Sequence, residues 1–423
     1  MTPTIHASEV ADIGLAGHGE GLCDWSAQSM PILARIRERY AVEKPFQGKR
    51  IAIAVHITTE TANLALTLRA GGAEVFLCAS NVRTTNDAVA AYAAQQGVYV
   101  YGIQGEDRET YSTHCHRVLD ARPHLVIDDG ADLTGLLHGA RSDAAADVIA
   151  GLEETTAGIQ RIRSLESDGL LRYPVVAVNE ARTKHLFDNR YGTGQSTMDA
   201  ILRLTNTLVA GSRVVVAGYG MCGKGVAARA RGMGADVLVT EVDHVRALEA
   251  VMDGYRVMEM DRAAELGDIF ITVTSNKNVL GAEHFARMPD GALVCNSGHF
   301  DVEIDVPALR AAALKHTQPR PGIDQYTLAN GRRINLLSAG EVVNLAAAEG
   351  NPATLMDMSF TNQVLGCEYL LKNAADLDRR VHTLPADIDD QVAHLKLQTL
   401  GVDIDTLSEE QIAYLHSWDQ GSA

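Results

Sequence analysis

The chain of 423 residues is long enough for two or three domains with full hydrophobic cores. Its 46% hydrophobic and 22% charged residues are those of ordinary globular protein, and 37 basic against 54 acidic side chains leave a net charge of −17, which argues against a nucleic-acid or anionic-membrane surface. No apolar run approaches membrane-spanning length, the first residues carry neither a basic nor an apolar signal segment, and the six cysteines are scattered without CxxC spacing, so reduced thiols in a cytoplasmic protein are expected.

From the N-terminus, residues 8–40 read as mostly helical up to the breaker KPFQGK. A strand is expected at residues 51–55, then a polar turn, a helix to about Ala70, a Gly71-Gly72 stop and a strand at 74–77: a βαβ unit without a nucleotide fingerprint. Further strands are expected at 97–101, 124–127 and 174–178, with a helical stretch opening at Glu153-Glu154-Thr155-Thr156 before the last. This alternation implies an open parallel sheet whose strand C-terminal ends are free for a ligand. The charged, glycine-rich NEARTKHLFDNRYGTGQS from Asn179 reads as a crossing into a second domain, followed by a helix over 196–208.

The second domain is organised around residues 213–245. The β-branched run Val214-Val215-Val216 leads into Gly218-Tyr219-Gly220-Met221-Cys222-Gly223, then a helix, then a strand at 236–240 ending in Glu241. In such a unit Gly218 allows the tight turn, Gly220 lets the backbone approach a pyrophosphate, and Gly223 lets helix and strand pack closely. The pyrophosphate meets free N–H groups at the helix N-terminus, and Glu241 stands where an acceptor for a ribose 2′-hydroxyl belongs. Arg246 can approach an adenosine 2′-phosphate, but Glu241 repels one, so NAD is expected over NADP. Strands are also expected at 268–273, 292–295 and 333–337, a return crossing near 351–364, and two C-terminal helices, the second with a Ser408/Gln411 capping box. The expected fold is α/β: two doubly wound, Rossmann-like parallel-sheet domains joined by a hinge, plus a short helical C-terminal segment. Residues 1–183 and 350–379 would form the substrate-binding domain, 190–347 the dinucleotide-binding domain and 380–423 the helical tail.

Polar clusters fall where strands end: His56 with Thr58 and Glu60; Asp128-Asp129; Glu153-Glu154-Thr155-Thr156; and Ser297-Gly298-His299. The first and third have an ordinary structural explanation alone, a loop histidine and helix-capping acids. Paired acids at a strand end are costly unless a ligand or donors compensate, and a histidine at the last strand end can reach a cleft between the domains. Lys184 and Asp188, spaced i,i+4, would usually be a surface ion pair of small worth, yet here they sit in the crossing among Asn179, Asn189 and Gly192. Adjacent His114-Cys115-His116 would point to different helix faces, so no metal site is expected.

Taken in order, HITTET, IDDGADLT, EETTAG, VNEARTKHLFDNRYG, VAGYGMCGKG, NSGHFDVEID and SFTNQV resemble the S-adenosyl-L-homocysteine hydrolase (adenosylhomocysteinase) family along almost the whole chain. The resemblance implies a bound NAD that oxidises the ribose 3′-hydroxyl, loss of the C4′ proton, elimination of homocysteine, addition of water and reduction of the ketone. It implies that Lys184, held near Asp188, takes the 3′-hydroxyl proton, which requires burial or a nearby cation to favour the neutral amine. It likewise implies that Asp129 takes the C4′ proton, that His56 and His299 serve the leaving sulfur and incoming water, and that Glu154 grips the ribose hydroxyls. Thr58 and Glu60 meet the base, where a carboxylate favours adenine over hypoxanthine, and Asn179 and Asn351 complete the substrate contacts. Thr155, Thr156, Asn189, Gly218, Gly220, Met221, Cys222, Gly223, Glu241, Arg246, Asn276, His299 and Asn344 are expected to lie about the NAD.

The sequence also departs from the family pattern. It ends SWDQGSA where many members carry a lysine- and tyrosine-containing tail, so easier NAD loss is expected. Asn351 replaces the usual histidine, Asn86 a glutamine and Ala157 a threonine. The expected partners are adenosylhomocysteine, adenosine and homocysteine, with further copies of the chain in a homotetramer, in one-carbon metabolism. Three other readings compete: an S-inosyl-L-homocysteine hydrolase, a dehydrogenase exchanging free NAD, which leaves Asp129, Glu154 and His56 without work, and a catalytically silent nucleotide sensor.

Overall fold

The computed structural model describes residues 7–418. The first unit begins as its residues dictate. β1 (Arg50–Ala54) is buried almost throughout, as Ile and Ala are in a parallel strand covered on both faces. Thr58 then caps the helix Thr59–Ala70, which stops at Gly71. β2 (Glu74–Cys78), β3 (Tyr99–Tyr101), β4 (Leu125–Asp128), β5 (Ala150–Glu153) and β6 (Val175–Ala177) follow, every pairing parallel.

The second unit comprises β7 (Arg213–Ala217), β8 (Asp236–Thr240), β9 (Arg256–Val257), β10 (Ile269–Thr272), β11 (Ala292–Asn296), β12 (Ala313–Arg320), β13 (Ile323–Leu328) and β14 (Arg333–Leu337). The chain then returns through the helix Ala353–Asn373, and β15 (Val381–Thr383) joins β6. The sheets run β15-β6-β5-β4-β1-β2-β3 and β12-β13-β14-β11-β10-β7-β8-β9. Each is packed on both faces by hydrophobic clusters, the doubly wound arrangement.

The α/β class and the two sheets match expectation, with local differences. The second sheet is mixed, because β12 and β13 pair antiparallel at its edge. The polar ALKHTQPR of β12 lies largely exposed, so no apolar period announces it. Glu153 belongs to β5, and the helix begins only at Thr156, with Thr155 accepting the Gly158 N–H. In the C-terminal segment, beyond β15, the helix Ala386–Thr399 buries Val392 in the first core. Among the described residues no helix is long and apolar enough to cross a membrane.

The first crossing runs from β6 through a π-helical segment, His185–Gly192, into the helix Thr193–Thr205. That helix meets the Met221–Gly232 helix at Gly194 and Gly225 with backbone against backbone. A Cβ at Gly225 would overlap the Arg190 carbonyl oxygen. Gly225→Ala is therefore expected to destabilise the protein by about 1–3 kcal/mol, the range of core overpacking, measured as a lowered midpoint in urea unfolding.

Candidate active site

Parallel register aligns the strand ends of the first sheet. Ala54 pairs with Asp128, Asp128 with Glu153 and Glu153 with Ala177, so the residues just beyond them emerge along one rim. That rim carries His56, Asp129, Glu154 and Asn179. The rim of the second sheet carries Gly218, Glu241 and His299, after β7, β8 and β11. The rims face each other across a cavity of about 900 Å³ lined by all the expected site residues except Gly223, which is buried beneath the glycine turn.

One end of the cavity holds an aspartate between two imidazoles. His56 Nε2 lies 3.2 Å from one Asp129 oxygen, and His299 Nδ1 lies 3.6 Å from the other. The far nitrogen of His56 faces the hydroxyls of Thr84 at 2.7 Å and Ser80 at 3.1 Å. Burial pushes the His56 ring down to about 4 against the pull of the Asp129 charge, so it is neutral near pH 7. These three side chains present ligand-type atoms all within 4.8 Å of one another, a chelating geometry where none was expected. His114, by contrast, is buried with Nδ1 2.8 Å from Glu106.

The other end is built on Lys184. Its ammonium lies 2.9 Å from Asp188 and 3.4 Å from Glu154, and donates to Asn179 Oδ1 at 3.0 Å and Asn189 Oδ1 at 3.1 Å. The role expected of Lys184 requires burial or a nearby cation to favour the neutral amine. Burial does oppose the charge, but Asp188 and Glu154 outweigh it and hold Lys184 above the usual lysine range. Glu154 also accepts from Ser359 at 2.6 Å and from Gln363, both on the helix Ala353–Asn373. The π-helical turn beginning at His185 places Asp188 and Asn189 on this cluster, a distortion characteristic of functional sites.

The paired acids of the first sheet part company. Asp129 faces the cavity, while Asp128 turns inward, accepts the Thr134 N–H at 2.7 Å and is pushed up to about 7 by burial. Glu153 is buried beneath the rim and accepts the N–H groups of Gly130 at 2.9 Å and Thr155 at 2.8 Å, bracing the loops that carry Asp129 and Glu154. Burial and the neighbouring Asp128 and Asp129 charges push Glu153 well up.

The profile of S-adenosyl-L-homocysteine hydrolase matches residues 7–151, and that of the NAD binding domain of S-adenosyl-L-homocysteine hydrolase matches residues 189–350. The chain belongs to the S-adenosyl-L-homocysteine hydrolase family. It is 55% identical to the adenosylhomocysteinase of Aquifex aeolicus (strain VF5) over 415 residues, covering 98% of this chain and 99% of that one. It is 52% identical to that of Thermococcus kodakarensis, covering 98% of each chain, and 48% identical to that of Saccharolobus solfataricus, covering 98% and 99%.

The residues of this S-adenosyl-L-homocysteine hydrolase family member fit an NAD. Gly218 has φ +104°, a conformation open to glycine, and a Cβ on Gly223 would overlap the Gly218 carbonyl oxygen. At Gly220 a Cβ would meet nothing nearer than Arg246 Nη1 at 3.9 Å, so the cradle is open there. Glu241 is fixed by the N–H groups of Tyr219 and Val242, each at 2.7 Å, and keeps acceptor capacity toward the cavity. The loop carrying Asn276 is held by buried Glu303, which accepts from Thr274 and Ser275. Asn344 Oδ1 is buried without a partner, an acceptor waiting for a donor. Thr156 accepts from Asn179 at 2.9 Å, and Asn189 donates to Cys222 Sγ at 3.5 Å.

Sequence reasoning missed Ser80, Thr84, Ser359, Gln363 and Glu303. One signal was present: Ser359, Thr361, Asn362 and Gln363 are fully buried on a single helix, and a polar run inside a core helix implies partners. Asp128 supplies a test. Its folded carboxyl lies above its unfolded value, so the stability it contributes is complete below about pH 4 and lost as pH rises toward 7. Asp128→Asn removes that loss. The stability of the variant relative to the parent is expected to be higher at pH 8 than at pH 5, measured by denaturant unfolding at each pH.

Proposed function

We propose that this chain catalyses the reversible hydrolysis of S-adenosyl-L-homocysteine to adenosine and L-homocysteine, through 3′-oxidation, C4′ deprotonation, elimination, water addition and re-reduction. One observation carries the reading: two separate proton-handling clusters, Lys184 with Asp188 and Glu154, and Asp129 with His56 and His299, open on the same cavity as the glycine turn. A single oxidation needs one base. The second cluster has work only if a bond at C5′ is broken and remade.

When bound, NAD supplies the two-electron oxidation of the ribose 3′-carbon and its reversal. Lys184 handles the 3′-hydroxyl proton. Its two carboxylates favour the ammonium, so added positive charge in the cavity is what prepares it to accept a proton. Glu154, braced by Ser359 and Gln363, grips the ribose hydroxyls and orients C3′. Asp129 takes the C4′ proton, which the adjacent 3′-ketone has acidified. His56, neutral near pH 7, and His299 pass a proton between the leaving sulfur and the incoming water. Thr58 and buried Glu60 receive the base, the carboxylate accepting the exocyclic amino hydrogens of adenine. Thr155, Thr156, Asn189, Met221, Cys222, Glu241, Arg246, Asn276 and Asn344 surround the cofactor.

Residues 1–183 with 350–379 act as the substrate-binding unit and 190–347 as the cofactor unit. The enzyme is cytoplasmic and assembles as a homotetramer. Supporting assembly, Leu400, Ile404, Leu407 and Leu415 near the C-terminus and Val245 and Met252 of the helix His244–Met252 are exposed in the single chain.

The purified protein, without added NAD, is expected to form thioether from adenosine and homocysteine faster than from inosine and homocysteine, followed by chromatography. No thioether from either pair sinks the hydrolase reading, and a faster inosine reaction sinks the role of Glu60. Lys184→Ala is expected to lose the absorbance of reduced cofactor on adenosine addition. Asp129→Asn should keep that absorbance but slow exchange of the C4′ hydrogen with solvent deuterium about 10²-fold or more, the usual weight of a general base.

A further inference from the structure

The hinge contains a run of hydrogen bonds linking the Lys184 cluster to Asn344 on the cavity wall. Asn351, from the return crossing, donates its amide Nδ2 to Asp188 Oδ1 on the first crossing. Its Oδ1 accepts from Ser196 Oγ at 2.8 Å, and Ser196 accepts from Asn344 Nδ2 at 3.1 Å. Every donor points the same way, toward the Asp188 carboxylate. The second Asp188 oxygen meets Lys184 at 2.9 Å and Ser359 at 3.3 Å. At the far end, Asn344 Oδ1 is buried without a partner, and Asn344 lines the cavity.

The arrangement is built around Asn351. A Cβ on Gly192 would run into the Asn351 side chain, so glycine is what leaves it room. Both ends of the Asn351 amide are engaged, Nδ2 with Asp188 and Oδ1 with Ser196. Its orientation is set by charge, because the flipped amide would present oxygen to a carboxylate. An alanine at 351 would break the run in the middle, and an aspartate would set a second carboxylate against Asp188.

We propose that Asn351 is a positioning residue that couples Lys184, through Asp188, to the hydrogen-bond donor seated on Asn344 Oδ1. The donor chemistry is an amide N–H₂, such as the carboxamide of a nicotinamide ring, and to that extent the inference rests on the function proposed above. A donor on Asn344 Oδ1 polarises the amide beyond it, and successive hydrogen bonds in a low-dielectric interior reinforce one another. The run ends on the carboxylate that holds the Lys184 ammonium. Coupling of this kind is reciprocal, so a change at Asp188 alters affinity at Asn344.

The test is a double-mutant cycle on cofactor-stripped protein: parent, Asn351→Ala, Asp188→Ala and the double variant, with NAD dissociation constants from calorimetry and melting temperatures as the check on folding. Each single variant is expected to bind NAD about tenfold more weakly, and the double variant no more than about twofold worse than the weaker single, since residues in one network are non-additive. Ser196→Ala should reproduce Asn351→Ala. Asn351→Asp, equal in size, should bind at least as weakly as Asn351→Ala. In NAD-loaded protein, Asn351→Ala should slow the reduced-cofactor signal on adenosine addition about tenfold while the adenosine KM moves less than about threefold. Multiplying effects in the double variant, or an Asn351→Asp protein that binds NAD as the parent does, overturns the coupling. A parent that binds NAD but gives no reduced-cofactor signal with adenosine refutes the proposed function instead, and the binding cycle still decides the role of Asn351.

Discussion

The buried ammonium of Lys184 is the constraint on which the rest of the site depends. A charge out of water is costly unless it is paired and hydrogen-bonded, and breaking one partner leaves the remainder uncompensated. Here the partners come from two parts of the chain: Asn179, Asp188 and Asn189 from the first crossing, and Glu154 from beyond the end of β5. Glu154 is in turn held by Ser359 and Gln363 on the helix of the return crossing. Both crossings and the rim of the first sheet are thus tied to one charge.

A second theme is the use of buried carboxylates as braces for loops. Glu153 accepts two backbone N–H groups on the first rim, Glu303 does the same on the second, and Asp389 accepts those of Arg182 and Thr183 immediately ahead of Lys184. Burial pushes both glutamates up, a cost offset by the backbone donors. The acids facing the cavity are held by side chains instead, Glu154 by Ser359 and Gln363 and Asp129 between His56 and His299. Asp389 also gives the C-terminal helix Ala386–Thr399 a place in the site, since it fixes the segment that presents the lysine.

Each rim works because parallel strands in register end at the same level. Strand ends far apart in sequence therefore converge without any local signal that they will. His56, Asp129 and His299 meet in this way, the first two from neighbouring strands of one sheet and the third from the opposite rim. The left-handed Gly130 lets the Asp129 loop pass close to the His299 ring, where a Cβ would overlap it. Arg108 to Asp301 at 2.8 Å and Asn81 to Glu341 at 3.0 Å extend the contact between the units.

The glycine turn of residues 218–223, the strand that ends in Glu241 and the polar residues at strand ends were legible in the sequence, because turn chemistry and buried-strand patterning are local. The ordered motifs also carried the family. What escaped was set by distant partners. β12 is an exposed edge, and β5 and β15 take their places by pairing with β4 and β6.

The sequence alone determined which groups are available for chemistry and that they stand at the ends of strands. Only the tertiary structure decided their condition. It placed two carboxylates beside Lys184 and so charged it, buried His56 and so neutralised it, turned Asp128 away from Asp129, and joined Asn351 to Asp188. Protonation and orientation depend on the field and the hydrogen-bond partners around a group, and in this protein those partners come from opposite ends of the chain.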